Sequence, residues 1–380
     1  MRIAIFSDTY APEINGVART LKRYTDYLEK RGIEYRLFVP NVSTPVPTVP
    51  QVQRLSSIPF LLYPDCRLAL PNPHIKHTLE QFKPTLIHIA TPINIGLYGL
   101  HYGKKNGIPM VASYHTNFDD YLEYYHLSLL NKLLWKYMHW FHRSFDKVFV
   151  PSKSTKEKLL QNQIHDNIEL WGRGVNHQMY TPNKRSSEVV KAKYQIKEKN
   201  LILYVGRIAP EKDIHIVLET FYSLPEHIRK DAHLIIVGDG PLFDTLSEQH
   251  QEQITWTGFM EGEQLAEVYA SSDVFLFPSP TETFGNVVLE ALSSGLPVIG
   301  ANAGGVQHLV KEGKTGFLCE PKKVNQFARQ TSILLENSDL RSAFSYSARA
   351  YAKTISWDEI FDQLLESFKD VLYKKKRISA

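Results

Sequence analysis

Cysteine is nearly missing from this 380-residue chain. Cys66 and Cys319 stand far apart in no metal-ligand spacing, so neither a disulfide framework nor a structural zinc site is expected. No run approaches the ~18 consecutive apolar residues of a bilayer-spanning helix. The first six residues read as a strand that starts at once, without the long apolar core and small-residue cleavage site of a secretion signal. The glycine signatures of phosphate-loop NTPases and dinucleotide dehydrogenases are absent, and no Asp-x-Asp stands at a strand end to hold a metal. These absences give the expectation of a cytoplasmic protein without metal, cofactor or nucleic-acid partner. A peripheral contact with the inner face of the plasma membrane stays open.

Apolar residues make up 43% of the chain and charged residues 22%, which is the balance of ordinary globular structure, and the length suits two domains better than one core. Net charge is only +4, but it is unevenly spread. Lys and Arg outnumber Asp and Glu by 21 to 14 in residues 1–180 and are outnumbered 23 to 26 in the rest. A basic first half suits an anionic surface or acceptor, and equally a solvated bias with no partner.

Short apolar runs alternate with amphipathic segments, the pattern of parallel sheets covered by helices. Strands are expected at residues 2–7, 34–39, 86–90, 110–114 and 147–151, with helices over 16–31 and 93–106 and a Pro/Val-rich loop at 44–50. The rhythm restarts with strands at 201–205, 233–237, 254–257, 274–278 and 297–300, and the polar stretch 181–199 reads as the linker. The fold class is α/β, with two doubly wound, Rossmann-like halves that bind ligand at the C-terminal edges of their strands.

The segment Ser279-Pro280-Thr281-Glu282-Thr283-Phe284-Gly285-Asn286-Val287-Val288-Leu289-Glu290-Ala291 follows a strand and runs into a helix. With Glu282 in the loop and Glu290 on the second turn, both carboxylates can accept hydroxyl donors from a sugar or a ribose. The N–H groups of Phe284, Gly285, Asn286 and Val287 open a helix and suit phosphate oxygens. A capping glutamate and a surface glutamate are the plain alternative. Arg207 and Lys212, in Gly206-Arg207-Ile208-Ala209-Pro210-Glu211-Lys212 after another strand, could neutralise a departing pyrophosphate, each charge-assisted bond contributing roughly 1.5–3 kcal/mol. Their alternative is a surface pair partnered by Glu211.

Six ordered blocks make the chain resemble the retaining glycosyltransferases of family 4, which have the GT-B fold. They are Gly206-Arg207 with Lys212, Val237-Gly238-Asp239-Gly240-Pro241, Pro278-Ser279 with Glu282 and Glu290-Ala291, Gly295-Leu296-Pro297-Val298, Ala303-Gly304-Gly305, and Gly313-Lys314-Thr315-Gly316-Phe317-Leu318. The resemblance covers nearly the whole length. It implies two Rossmann-like domains with a central cleft, an N-terminal acceptor domain over 1–180 and a C-terminal donor domain over 181–357. A last helix of about 358–380 packs back on the first domain. It also implies that Glu282 contacts the donor sugar beside the backbone of Phe284, Gly285 and Asn286, that Glu290 binds the ribose, and that Arg207 and Lys212 hold the diphosphate.

In the first half, Asp8-Thr9-Tyr10-Ala11-Pro12-Glu13-Ile14-Asn15-Gly16-Val17 looks like the family's first strand-to-helix loop, where a glycine lets the backbone approach the diphosphate. Asn15-Gly16 stands where many members have two glycines, so only Gly16 carries over, and it could equally just begin a helix. The resemblance places His115, after the strand ending Ser113-Tyr114, beside the transferred sugar. Arg173, in Leu170-Trp171-Gly172-Arg173-Gly174, is worded like the glycolipid-building subgroup that includes mannosyl- and sulfoquinovosyl-transferring members; donor, acceptor and hinge roles all remain open for it. The aromatic stretch 119–145, interspersed with Lys132, Lys136 and Arg143, could rest in a membrane interface or pack into a core. The basic tail Lys374-Lys375-Lys376-Arg377 reads first as a solvated terminus.

The expected activity is metal-independent transfer of a mannose- or glucose-type hexose from a GDP- or UDP-sugar to an acceptor hydroxyl, with retention of configuration and a lipid-linked acceptor. A soluble or polysaccharide acceptor, a nucleotide-sugar epimerase and a nonenzymatic nucleotide-sugar sensor are the competing readings.

Overall fold

The structure, a computed structural model, describes residues 1–13, 15–42, 45–59, 67–70, 72–117, 119 and 128–379. These fall into two compact units, one formed by residues 1–119, 128–172 and 358–379 and the other by residues 173–357. Cys66 and Tyr121, Tyr124, Tyr125 and His126 of the aromatic stretch lie outside the described residues.

The N-terminal unit holds strands β1 (Arg2–Phe6), β2 (Glu34–Pro40), β3 (Val52–Leu55), β4 (Ser57–Pro59), β5 (Arg67–Ala69), β6 (Leu86–Ile89), β7 (Met110–Ser113), β8 (Lys147–Val150) and β9 (Ile168–Leu170). Seven of them form one sheet in the order β3-β2-β1-β6-β7-β8-β9, parallel throughout. β4 and β5 pair antiparallel as a separate ribbon. β6, β7 and β8 are buried along their whole length, which is why their sequences are continuous apolar runs rather than alternating ones.

The last helix, Trp357–Ser379, completes this unit. Phe361, Leu364, Leu365, Phe368 and Val371 recur at helical spacing and are all buried. Phe361 packs on Tyr24 and Tyr27, and Phe368 on His88 and Phe149. Asp362 accepts from the Tyr27 hydroxyl and, at 2.6 Å, from Arg31 Nη2. Burying Phe361, Leu364 and Phe368 contributes about 1.5–3 kcal/mol each, so the helix is part of the core.

The C-terminal unit has β10 (Asn200–Val205), β11 (Ala232–Val237), β12 (Ile254–Gly258), β13 (Val274–Phe277), β14 (Val298–Ala301) and β15 (Gly316–Cys319). They form one parallel sheet in the order β12-β11-β10-β13-β14-β15. Both sheets therefore start in the middle, run outward to one edge, then return and run to the other. The switch points lie between β1 and β6 and between β10 and β13, where loops leave in opposite directions and open a crevice.

Residues 181–199 belong to the C-terminal unit. They form a 3-10 turn, Pro182–Lys184, and a helix, Ser187–Tyr194, with Val190 and Ile196 in the core. Cys319 is buried and its thiol is pushed up to about 12 by that burial.

Candidate functional site

The two sequence blocks singled out in the second half leave the strands on either side of one switch point. β10 ends in the Gly206–Lys212 loop and β13 in the Pro278–Glu282 loop, and the two are tied together. Thr281 Oγ1 donates to Glu211 O at 2.9 Å, and Lys212 Nζ lies 2.6 Å from Glu282 Oε1. The side chains of that ion pair are 15% and 20% exposed, so solvent screens it only in part. Lys212 ends a 3-10 turn, Pro210–Lys212, opened by Pro210, whose ring already holds the φ the turn requires.

Arg207 Nη1 stands 3.9 Å from Glu211 Oε1. Glu211 is 1% exposed and, among the described residues, neither of its carboxylate oxygens accepts a hydrogen bond. The pairing of Arg207 with Glu211 is thus not the surface pair that sequence allowed. It is a guanidinium set over a buried carboxylate.

Glu282 sits in the loop and Glu290 on the second turn of the helix Asn286–Ser293. Gly285 caps that helix at φ 97°, a backbone conformation that a side chain would strain. Val288 N and Leu289 N both turn back onto Gly285 O. Among the described residues the N–H groups of Phe284, Gly285, Asn286 and Val287 donate to no protein acceptor, which leaves a cluster of donors at a positive helix end. Tyr269 Oη donates to Glu290 Oε2 at 3.3 Å.

The loop after β14 holds the Glu282 backbone in place. Gly305 N donates to Glu282 O at 2.6 Å. A Cβ on Gly305 would fall 2.4 Å from Phe284 Cα, and one on Gly304 2.5 Å from Glu282 O. Two glycines are what this approach of backbone to backbone requires.

In the N-terminal unit, Gly16 is the first residue of the helix Gly16–Lys30, and Asn15 caps it by accepting from Ala18 N at 2.8 Å. Asn15 Nδ2 also donates to Thr9 Oγ1 at 2.8 Å, which fixes the loop after β1. His115, 8% exposed, follows β7 with its ring 5.1 Å from that of Trp171. Gly16 and His115 therefore share the C-terminal edge of the first sheet. Arg173 is 4% exposed, and burial lowers its pKa to about 9. The next residue, Gly174, would bring a Cβ within 2.5 Å of Trp357 N, so the backbone beside Arg173 is tightly packed.

Two acidic residues escaped the sequence reading. Glu211 was visible only as a charge between two cations, and its burial depends on contacts made by the β13 loop. Asp8 is 1% exposed and accepts from Thr91 Oγ1 at 2.6 Å and Ile95 N at 3.3 Å. It ties the ends of β1 and β6 together at the other switch point. Burial pushes its carboxyl up to about 7, against those hydrogen bonds. An acid directly after a β1 that ends in a tight loop was the available clue.

Comparison with known proteins gives two family matches that together cover most of the chain: "Glycosyltransferase Family 4" over residues 14–179 and "Glycosyl transferases group 1" over residues 186–351. The chain is 32% identical to a sulfoquinovosyl transferase of Arabidopsis thaliana over 94% of its own length and 71% of the relative's. It is 30% identical to a GDP-mannose-dependent alpha-mannosyltransferase of Mycolicibacterium smegmatis over 99% of both chains. It is 28% identical to an alpha-monoglucosyldiacylglycerol synthase of Acholeplasma laidlawii over 99% of this chain and 100% of the relative. Among solved structures, Anabaena HepE in complex with UDP-glucose matches the fold with a TM-score of 0.75 at 19% identity, over 97% of this chain and 100% of that one.

Proposed function

The chain belongs to the family 4 glycosyltransferases of the GT-B fold, and from that premise we propose a retaining hexosyltransferase that moves a mannose- or glucose-type sugar from a GDP- or UDP-sugar to a lipid-linked hydroxyl. The observation that carries the site assignment is the meeting of Lys212, Glu282 and an open helix N-terminus at the switch point of the second sheet. The GDP-mannose-dependent and monoglucosyldiacylglycerol-forming relatives support the donor classes and the lipid acceptor.

In this proposal Arg207, Lys212 and the N–H groups from Phe284 to Val287 bind the diphosphate. Glu282 accepts hydroxyls of the sugar and Glu290 those of the ribose. The bond from the anomeric carbon to the diphosphate oxygen breaks while negative charge gathers on the leaving group, where the cations and helix dipole stabilise it without a metal. The acceptor oxygen bonds to the anomeric carbon from the face the leaving group departs, and its proton passes to the departing phosphate. Configuration is kept and no enzymic nucleophile forms.

Gly16 is assigned to the diphosphate and His115 to the transferred sugar. Arg173 is assigned a structural role beside Gly174. Among the described residues no helix is long and apolar enough to cross a membrane, so a peripheral contact is proposed for reaching a lipid. Thermal shift with a panel of UDP- and GDP-sugars on wild type and Glu290→Ala tests the site: one nucleotide class stabilises the wild type and not the variant. Equal shifts in both would remove Glu290 from it. Nucleoside diphosphate release that depends on acceptor separates a transferase from a sensor.

A further inference from the structure

The Pro/Val-rich loop after β2 takes no part in either sheet or in the proposed donor site. Residues 45–49 of it line a cavity of about 490 Å³ in the N-terminal unit, at the C-terminal edge of β2 and β3. Val46, Val49 and Val52 give the cavity apolar walls, and Asn41, Thr48 and Arg54 give it polar ones. No Asp or Glu is among its described lining residues.

Arg54 is half-buried, and among the described residues no carboxylate pairs with it. Its guanidinium donates only to backbone carbonyls, from Nη2 to Ala11 O at 2.5 Å and from Nη1 to Pro40 O at 3.4 Å. Three of its five N–H groups are left over. Glu13, the acid that acts on it across space, accepts from the Thr9 hydroxyl and forms no ion pair with it. Burial works against the charge of Arg54. A partly desolvated cation of this kind favours an anion beside it.

Further donors stand next to it. Asn41 Oδ1 accepts from Val42 N at 3.0 Å, which leaves the Nδ2 amide group of Asn41 without a protein acceptor among the described residues. Thr48 Oγ1 is in the same position. Three separate segments thus offer donors, and a tetrahedral phosphate accepts from several directions where a planar carboxylate accepts in one plane. The valines suit a carbon chain attached to that phosphate.

We propose that this cavity holds a phosphate ester with an apolar substituent, as the headgroup phosphate of the acceptor. The identification with the acceptor rests on the lipid-linked hydroxyl proposed above; the phosphate chemistry does not. With strands about 4.8 Å apart in the order β3-β2-β1, Arg54 stands roughly 10 Å from β1. Its bond to Ala11 O ties it to the loop that leads to Gly16. A headgroup anchored at Arg54 therefore extends toward that loop.

Calorimetry on the full chain tests the assignment, with four probes kept below their aggregation limits: dihexanoylphosphatidylglycerol, glycerol 3-phosphate, inorganic phosphate and dihexanoylglycerol. The phosphatidylglycerol binds most tightly, and the neutral dihexanoylglycerol about tenfold or more weakly. Asn41→Asp keeps the oxygen that accepts from Val42 N and puts a negative charge in place of the amide donor. It weakens phosphatidylglycerol binding about tenfold or more and leaves dihexanoylglycerol unchanged. Arg54→Met does the same; because it also loses two backbone bonds, Asn41→Asp alone decides if Arg54→Met no longer shows the thermal shift given by nucleotide sugars. Val46→Ser with Val49→Ser weakens binding of phosphatidylglycerol but not of glycerol 3-phosphate.

An Asn41→Asp chain that binds phosphatidylglycerol like wild type would overturn the proposal. So would dihexanoylglycerol binding as tightly as phosphatidylglycerol, or inorganic phosphate doing so, which would make this a site for the free anion. Phosphate-ester binding that Asn41→Asp weakens, in a chain that no nucleotide sugar stabilises, would defeat the transferase reading and leave the cavity assignment standing. Stabilisation by a nucleotide sugar without phosphate-ester binding would defeat the cavity assignment alone.

Discussion

Lys212 and Glu282, contributed by the loops after β10 and β13, are joined at 2.6 Å in a pair that is mostly shielded from water. The cation proposed for the diphosphate and the carboxylate proposed for the sugar thus bind each other. On the proposed assignment a diphosphate competes with Glu282 for Lys212, and its arrival turns the carboxylate over to sugar hydroxyls.

That competition makes opposite demands on two measurements of Glu282→Gln. Without its carboxylate rival, Lys212 binds a bare nucleoside diphosphate several-fold more tightly, in line with the roughly 1 kcal/mol of a partly exposed ion pair. Turnover drops about a hundredfold or more because the neutral amide keeps one acceptor oxygen, presents a donor in place of the other, and no longer takes two sugar hydroxyls. Calorimetry against the diphosphate and initial rates against the intact donor read the two effects. Weaker diphosphate binding in the variant would disprove the competition.

Arg207→Ala is expected to cut kcat about a hundredfold, since its proposed partner is the leaving group, and to lower the thermal midpoint as well, because Glu211 is left buried without its cation. Glu211→Gln keeps the shape of the buried side chain and removes the charge under Arg207. Its expected effect is a changed KM for the donor with kcat nearly unchanged. An Arg207→Ala enzyme with normal turnover removes that residue from the reaction.

Asp8 predicts the pH dependence of the first unit. Its carboxyl titrates near 7 when folded and near 3.8 when unfolded, so between those values the folded chain holds the proton that the unfolded chain has released. Stability from this group is fully present below about pH 4, declines as pH rises, and levels off above about 7, a total of a few kcal/mol at most. Asp8→Asn removes the decline, so urea denaturation at pH 5 and pH 8 should separate wild type more than the variant. Equal slopes with pH would place the ionised form of Asp8 in the fold.

Gly305→Ala is expected to lower both activity and donor affinity. Its Cβ would meet Phe284 backbone at 2.4 Å, and the strain is relieved only by moving the peptide that carries Glu282. A cost of about 1–3 kcal/mol in stability accompanies the change. Unfolding midpoints and donor titration check it.

The strands that sequence located best, such as Arg2–Phe6, Lys147–Val150 and Val274–Phe277, are interior ones whose apolar runs admit no other reading. The ribbon of Ser57–Pro59 and Arg67–Ala69 was missed, and in the two parallel sheets so were three strands: Val52–Leu55, Ile168–Leu170 and Gly316–Cys319. All three lie at sheet edges and are short, and the first, Val-Gln-Arg-Leu, has polar residues at its centre. Their pairing is decided by the neighbouring strand. The stretch 181–199 reads as a linker in sequence because it is polar and charge-rich, yet Val190 and Ile196 suffice to anchor it.

Glu282 in a loop and Glu290 on a second helical turn could be placed from sequence, since a Pro-Thr pair after a strand and a glycine cap fix where the helix begins. The Lys212 to Glu282 contact was not legible, because nothing local states which strands flank the switch point. Burial of Glu211 has the same cause.

The helix Trp357–Ser379 supplies Phe361, Leu364 and Phe368 to a core otherwise made by residues 1–172. During synthesis the segment encoded first must therefore wait, with part of its hydrophobic interior open, until residues 361–371 have left the ribosome. The segment encoded second has all of its strands in hand sooner after they emerge. Completion of the two units runs opposite to their order in the gene, and a stop between residues 357 and 361 leaves the earlier-made half without these side chains.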